Sequence, residues 1–394
     1  FTFNGGLNTS SVAGTVTLNT SISSSNDAMV FGAITLGNNV TLDTNATNTT
    51  GDLTIGVVTG GNNTLTLSTG NNVNNSDITA SGNISGVTTL TLSDVGGTAT
   101  LSGDVDVTTF TVGSTVANVA FTGNGSSVTN AVAFANDGTL ILGTSGGTQT
   151  YGGGLTTTSV GGTVTLNGTL ATSNDAVVLG AVTLGSATTV DTNSSDTTGD
   201  ITIGAVTGSN NNLTLDTTTT TGSADNTFNG DINLGTGALS VTGDAVLGAN
   251  ITITATGGID FNDAINADNA SSNDRTLTLD SGTGSTITVD GTIGSTQALA
   301  GLTITQSNGA TFSGNIDISD SSNSGIIITD TEDNANVNFN GNLTTDNFTN
   351  AATGYDLLFA CGPFGACTFT NAVTFQNTGT LTLGTITGDT FTFN

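Results

Sequence analysis

Apolar and hydroxyl-bearing residues alternate one by one along this chain, and that alternation limits its fold more than any other feature. "TLTL" occurs at 64–67, 89–92, 276–279 and 380–383, and Thr/Ile variants of it fill 251–254 and 302–305. A period of two is the pattern of a half-buried strand. Between these runs lie Gly-Asn, Gly-Asp, Asn-Asn and Asn-Asp pairs, which tolerate the left-handed backbone of tight turns. No segment shows a useful 3.6-residue apolar period, so the chain is expected to be all-β. Disorder is the competing reading of a polar, acidic chain with 56 Gly and 35% hydrophobic residues. The alternating Leu, Ile and Val argue against it.

The strands recur. "TLNTS", "TLDTN", "TLSTG" and "TLSDV" begin at Thr17, Thr41, Thr66 and Thr91, a spacing of 24 or 25 residues. A longer repeat is laid over this one. "GGLNTSSVAGTVTLN" from Gly5 matches "GGLTTTSVGGTVTLN" from Gly153, a shift of 148, and the match fades beyond Ile84 and Ile232. "TNAVAFANDGTLILG" from Thr129 returns as "TNAVTFQNTGTLTLG" from Thr370. The chain therefore reads as a short repeat over 1–148, a long one over 149–390, and a third begun at 391–394; the long repeat carries 94 extra residues in its middle.

A globular core does not readily accept such an insertion, but a solenoid does, because whole rungs can be added. At about 24.5 residues per rung, the two repeats would hold about six and about ten rungs. A rung of 18–19 residues also divides the lengths, and the Leu18–Leu36–Ile55 spacing suits it. The expected fold is a right-handed triangular β-helix of 24–25 residues per rung. Leu, Ile, Val, Phe and Ala stack inward about 4.8 Å apart, Thr and Ser form outer ladders, and 16 rungs make a rod of roughly 75–80 Å.

Neither end carries a cap. The chain opens with "FTFN" at Phe1 and closes with "FTFN" at Phe391, and "QTYG" stands at the equivalent place from Gln149. The expectation is that the segment belongs to a longer array or stacks head to tail. Phe1, Phe3, Tyr151, Phe391 and Phe393 would then form the recurring layer at each junction.

The 30 acidic residues face one basic residue, Arg275, and no His, for a net charge of −29. Phosphate recognition needs Lys and Arg, so nucleic acid is excluded as a partner. Most nucleophile–base pairs are excluded as well, and no enzyme activity is expected. Two-carboxylate hydrolysis of a polysaccharide is the remaining catalytic reading; the turn preference of Asp explains sites such as "SNDA" and "TTGD" without it. No apolar run approaches the 18 or so residues of a membrane helix.

Acidic turns suit diffuse Ca2+ rather than a dedicated cofactor. Asp330, Glu332 and Asp333 are the densest cluster and the weak candidates for a specific site. Cys361 and Cys367 flank an elongated turn, "CGPFGAC". The expected state is a disulfide formed in an oxidising compartment, against a metal or redox pair or two free thiols. Asn-x-Ser/Thr sequons, at Asn8 and Asn39 among others, arise by chance in so Asn- and Thr-rich a chain.

The Thr-Leu-Thr-Leu strands, Gly-Asn turns, long imperfect repeats and near-absence of Lys, Cys and Pro resemble the giant surface proteins of bacteria, the filamentous-haemagglutinin-like and autotransporter-like β-strand-repeat families. The resemblance is compositional and spans the chain. It implies a secreted β-helix at the cell surface, a stalk, adhesin or extracellular fibre, with copies of itself and cell-surface glycans as candidate partners. A structural fibre is the first expectation and an adhesin the second. An ice-binding solenoid comes last, since Asp, Asn and Ser interrupt the Thr rows.

Overall fold

Each coil of the chain contributes short strands, most of three to five residues, and among the described residues every pairing between coils is parallel. The computed structural model describes residues 1–70, 75–195, 197–218, 224–268, 275–321, 324–362 and 365–393. Among these there is no helix. The contacts divide the chain into two units, Phe1–Asn193 and Ser194–Asn394, each a β-solenoid of stacked strands, with about 16 turns between them.

In the first unit the strands stand in three columns. The first runs through Leu7–Asn8, Met29–Phe31, Leu53–Ile55 and Ile78–Ala80 to Leu140–Leu142 and on to Val164 and Val182. The second runs from Val16–Leu18 through Ile34–Leu36, Val58, Ile84 and Val105 to Ser127–Val128 and Thr148–Tyr151. The third starts at Thr2–Phe3 and Ile22–Ser24, and later includes Val132–Ala133, Leu155–Thr156 and Val177–Leu179. The second unit has three columns of its own. One carries Ala310–Phe312, Asn336–Phe339, Asp356–Phe359 and Leu381–Leu383, and another carries Leu343–Thr345, Ala366–Phe369 and Thr390–Phe393.

The alternation read from the sequence is the alternation of burial. Leu65, Leu67, Leu90 and Leu92 are wholly buried, while the Thr between them face outward. Each enclosed Leu or Ile contributes about 1.5–3 kcal/mol. Because every coil repeats the arrangement, a narrow core suffices for a chain this polar.

Rung length is not constant. Val16 pairs with Ile34, 18 residues on, whereas Val40 pairs with Leu65, 25 on, and Ile259 with Ile287, 28 on. The expected 24–25 and the competing 18–19 are both present as individual coils. Thr41, Thr66 and Thr91 stack in one column, but Thr17 stacks on Thr35 in another.

The recurring phrase marks a corner, and so counts coils only where successive copies fall in the same column. In "TLDTN" and "TLDSG" the Asp Oδ1 accepts the N–H two residues on: Asp43 from Asn45 (2.9 Å), Asp191 from Asn193 (2.8 Å), Asp280 from Gly282 (2.9 Å). Asn45, Asn193 and Gly282 sit at φ 46°, 45° and 62°, the left-handed region that Asn and Gly tolerate. The hydroxyl residue between them turns inward, and Ser281 Oγ donates to the carbonyl of Gln306 one coil away (3.4 Å). The buried Ser281 hydroxyl, which also donates to the Ser285 carbonyl (2.8 Å), is thereby satisfied where the chain bends.

The two copies, 148 residues apart, are also out of phase with the coil. Leu7 lies in the first column and its copy Leu155 in the third; Val16 lies in the second and its copy Val164 in the first. Six steps up the first column lead from Leu7 to Leu140; the chain then passes Thr148–Tyr151 before it reaches Leu155. The shift is therefore six coils and two-thirds of a seventh, not six. The same sequence fits different columns because the columns are built alike.

Glycine spines let the coils close. A Cβ on Gly314 would lie 2.4 Å from the carbonyl oxygen of Gly291, and one on Gly341 would lie 2.3 Å from that of Gly314. Gly314→Ala is expected to cost the second unit about 1–3 kcal/mol through overpacking against backbone that has no room to yield. Denaturant unfolding of the variant against the parent measures this.

Candidate interaction surfaces and terminal coils

The acids act first as fasteners. Asx side chains at the corners accept a backbone N–H from the next coil: Asp52 from Asp77 (2.9 Å), Asp77 from Thr98 (2.7 Å), Asp104 from Gly125 (2.8 Å), Asp231 from Thr252 (2.8 Å), Asp356 from Thr380 (2.6 Å). Such bonds to an ionised acceptor are stronger than neutral ones. None of the described Asp is fully buried, yet several, including Asp43, Asp106 and Asp260, sit on strands rather than in exposed turns. Arg275 holds Asp268 with two 2.8 Å bonds.

Stacking like charges has a cost. Asp200, Asp225 and Asp244 immediately precede the paired residues Ile201, Asn226 and Ala245, so they form a file along one corner of the second unit. Partial burial, then Asp200 and Asp244, push the Asp225 carboxyl up to about 6. A folded value above the unfolded one means that ionisation opposes folding. The stability associated with the protonated form is fully present below about pH 4 and is lost as pH rises through about 6. For a half-exposed carboxyl this amounts to about 1 kcal/mol after solvent screening. Asp225→Asn is expected to raise stability by about that amount at pH 7 and to change little at pH 4, read by thermal unfolding at both values.

Asp330, Glu332 and Asp333 do not close around a common point. Asp333 Oδ1 accepts the Gly354 N–H (2.9 Å) and lines a shallow polar groove with Asp356 and Thr378. Among the described residues no group of three or more His, Cys, Asp or Glu is placed to hold a metal ion.

Cys361 and Cys367 form a disulfide with a Cα–Cα distance of 5.3 Å, and both are wholly buried. Cys361 turns the corner at φ 57°, followed by Gly362 at φ 63°. Cys367 is an inward residue of its coil, in register between Leu343 and Phe391. The bridge therefore fastens a corner to the core. Pro363 lies outside the described residues.

One face of the first unit carries an uncharged Thr array. Thr41, Thr66, Thr91 and Thr111 form one row, and Thr64, Thr89 and Thr109 a second. The sequence shows the Thr but not that these particular ones share a face, because the coils between them differ in length.

Of the aromatic residues at the ends, Phe391 and Phe393 are in register with the buried Cys367 and Phe369, and Phe3 with the buried Ser24. Phe393 stacks on Phe369 with ring centres 5.1 Å apart, and Phe391 lies 6.4 Å from Phe393. The interior counterparts of Phe1 and Phe3 are Gln149 and Tyr151, both buried. Tyr151 donates to Gln149 Oε1 (2.8 Å), and Gln149 Nε2 donates to the carbonyls of Phe121 (2.9 Å) and Gly123 (3.3 Å). That buried polar pair was not foreseen from the sequence. In the first and last coils the same positions are more exposed: Phe1 80%, Phe3 37% and Phe393 46%. Asn394 lies outside the described residues.

No helix is long and apolar enough to cross a membrane. Comparison with protein-family models, with curated proteins and with solved structures gives no match.

Proposed function

We propose that this chain is a structural element, a fibre or cell-surface stalk in which β-helical repeats continue from copy to copy. The observation that carries the reading is the repeat itself: the segments 129–143 and 153–167, which recur at 370–384 and 5–19, stack coil on coil in the interior. A head-to-tail contact of this kind propagates instead of closing. The buried disulfide fits assembly in an oxidising, extracellular setting. The repeat architecture fits the filamentous-haemagglutinin-like and autotransporter-like families named above. No catalytic step is assigned, and divalent cations act as diffuse counter-ions to the acidic surface.

The Thr array favours a second reading, adhesion to a glycan or another surface. It ranks second because its long row covers only four strands, and its edge meets Asp43.

Sedimentation velocity of the 394-residue chain over a hundredfold range of concentration separates the two. The fibre reading expects multimers that grow with concentration, more so with millimolar Ca2+ to screen lateral repulsion. A single species at every concentration would leave the adhesin.

A further inference from the structure

The contact that would join two copies occurs once already, inside the first unit. The last coil of the chain copies an interior one: "TNAVTFQNTGTLTLG" from Thr370 repeats "TNAVAFANDGTLILG" from Thr129. The first coil copies another: "GGLNTSSVAGTVTLN" from Gly5 repeats "GGLTTTSVGGTVTLN" from Gly153. In the interior these two segments are consecutive and stack on each other. Val132 pairs with Leu155, Leu140 with Val164, Ile141 with Thr165 and Leu142 with Leu166. All of them except the outward Ile141, Thr165 are buried.

The terminal coils are folded like their copies. Asn377 Nδ2 donates to the carbonyls of Tyr355, Gly379 and Thr380, as Asn136 Nδ2 does to those of Ala117, Gly138 and Thr139. At the other end, Leu7 pairs with Met29 and Val16 with Ile34, as Leu155 does with Val177 and Val164 with Val182. Only the cover differs: Val373, Leu381, Leu7 and Val16 are half-buried where their interior copies are buried.

We propose that the last coil of one copy docks against the first coil of a second copy in the register of this interior contact: Val373 on Leu7, Leu381 on Val16, Thr382 beside Thr17, and Leu383 on Leu18. The backbone follows the same template. Leu140 N–H donates to the Thr163 carbonyl (2.9 Å), so Leu381 N–H donates to that of Thr15 in the second copy. This register rests on the fibre reading above and sharpens it.

Two places depart from the template. Gly161 becomes Ala13, and a Cβ on Gly161 would lie 2.2 Å from the Asp137 carbonyl oxygen, so that corner must open slightly in the contact. The second departure is a redundancy. Inside the chain a single strand, Thr148–Tyr151, sits between Ser127–Val128 and Thr169–Thr172. Between copies, two identical "FTFN" segments compete for that slot. Phe1–Phe3, with Phe1 80% exposed, is the one displaced, because Phe393 is already stacked on Phe369.

Cysteine cross-linking of the full chain tests the register. Thr17 and Thr382 are exposed, and the native cysteines are sequestered in a buried disulfide. The double variant Thr17→Cys/Thr382→Cys is oxidised mildly and compared with Thr17→Cys/Thr392→Cys, whose second cysteine lies on another column. The expected result is a ladder of covalent multimers from the first variant, at least tenfold more than from the second. Multimers in sedimentation without that ladder would overturn the register and leave the fibre reading standing. Monomers by both measures would overturn both.

Discussion

Phe339→Ala is expected to destabilise the second unit by about 3–5 kcal/mol, the largest single-residue effect the fold predicts. Phe339 is wholly buried, and its ring is stacked between Phe312 (5.2 Å, 7°) and Phe359 (5.1 Å, 7°), with Phe348 edge-on at 6.3 Å. Truncation removes the ring's own burial and also leaves two neighbouring rings facing a void. The neighbours cannot collapse into it, because their strands are held in register on both sides. In a solenoid the loss is shared with the adjoining coils, since each coil's stability depends on its neighbours. Amide hydrogen exchange is the measurement: protection should fall in Ala310–Phe312 and Asp356–Phe359 as well as in Asn336–Phe339. Loss confined to the mutated strand would show that the stack is not cooperative.

Gln149→Leu is expected to cost the first unit about 2–4 kcal/mol, though Leu is close in size and more apolar. The buried Tyr151 hydroxyl loses its acceptor, and the Gly123 carbonyl loses a donor. Adding Tyr151→Phe should recover at least half of that, because replacing both members of a buried polar pair by apolar groups is far cheaper than replacing one. The chain already contains that solution: where Gln149 and Tyr151 stand in the interior, its two ends carry Phe1 with Phe3 and Phe391 with Phe393. A double-mutant cycle by urea unfolding measures the coupling.

These two cases show what the sequence makes legible. The alternation of Thr with Leu or Ile at 64–67 and 276–279 reports strand and inward face directly, because burial follows it residue for residue. Coil length was harder to read. "TLDTN" and its variants mark corners, and a corner serves any column, so their spacing measures a turn from Thr41 to Thr66 to Thr91, which share a column, but not from Thr17 to Thr41. The file of Asp200, Asp225 and Asp244 was hidden for the same reason: residues 25 and 19 apart share a corner only because those two coils have those lengths. The Cys361–Cys367 bridge was legible because a separation of six, with Gly362 and Gly365 between the cysteines, can close it. The inward Gln149 was not, since a buried amide is defined by partners from a different coil.

The central claim is that these β-helical repeats continue coil on coil from one copy to the next. Electron cryomicroscopy of the 394-residue chain at high concentration tests it most directly. The account predicts filaments in which the strand spacing of about 4.8 Å runs through each junction without a break, with Leu383 enclosed against Leu18 of the next copy. Isolated particles of one length, with Leu383 and Phe393 facing solvent at every concentration, would contradict it.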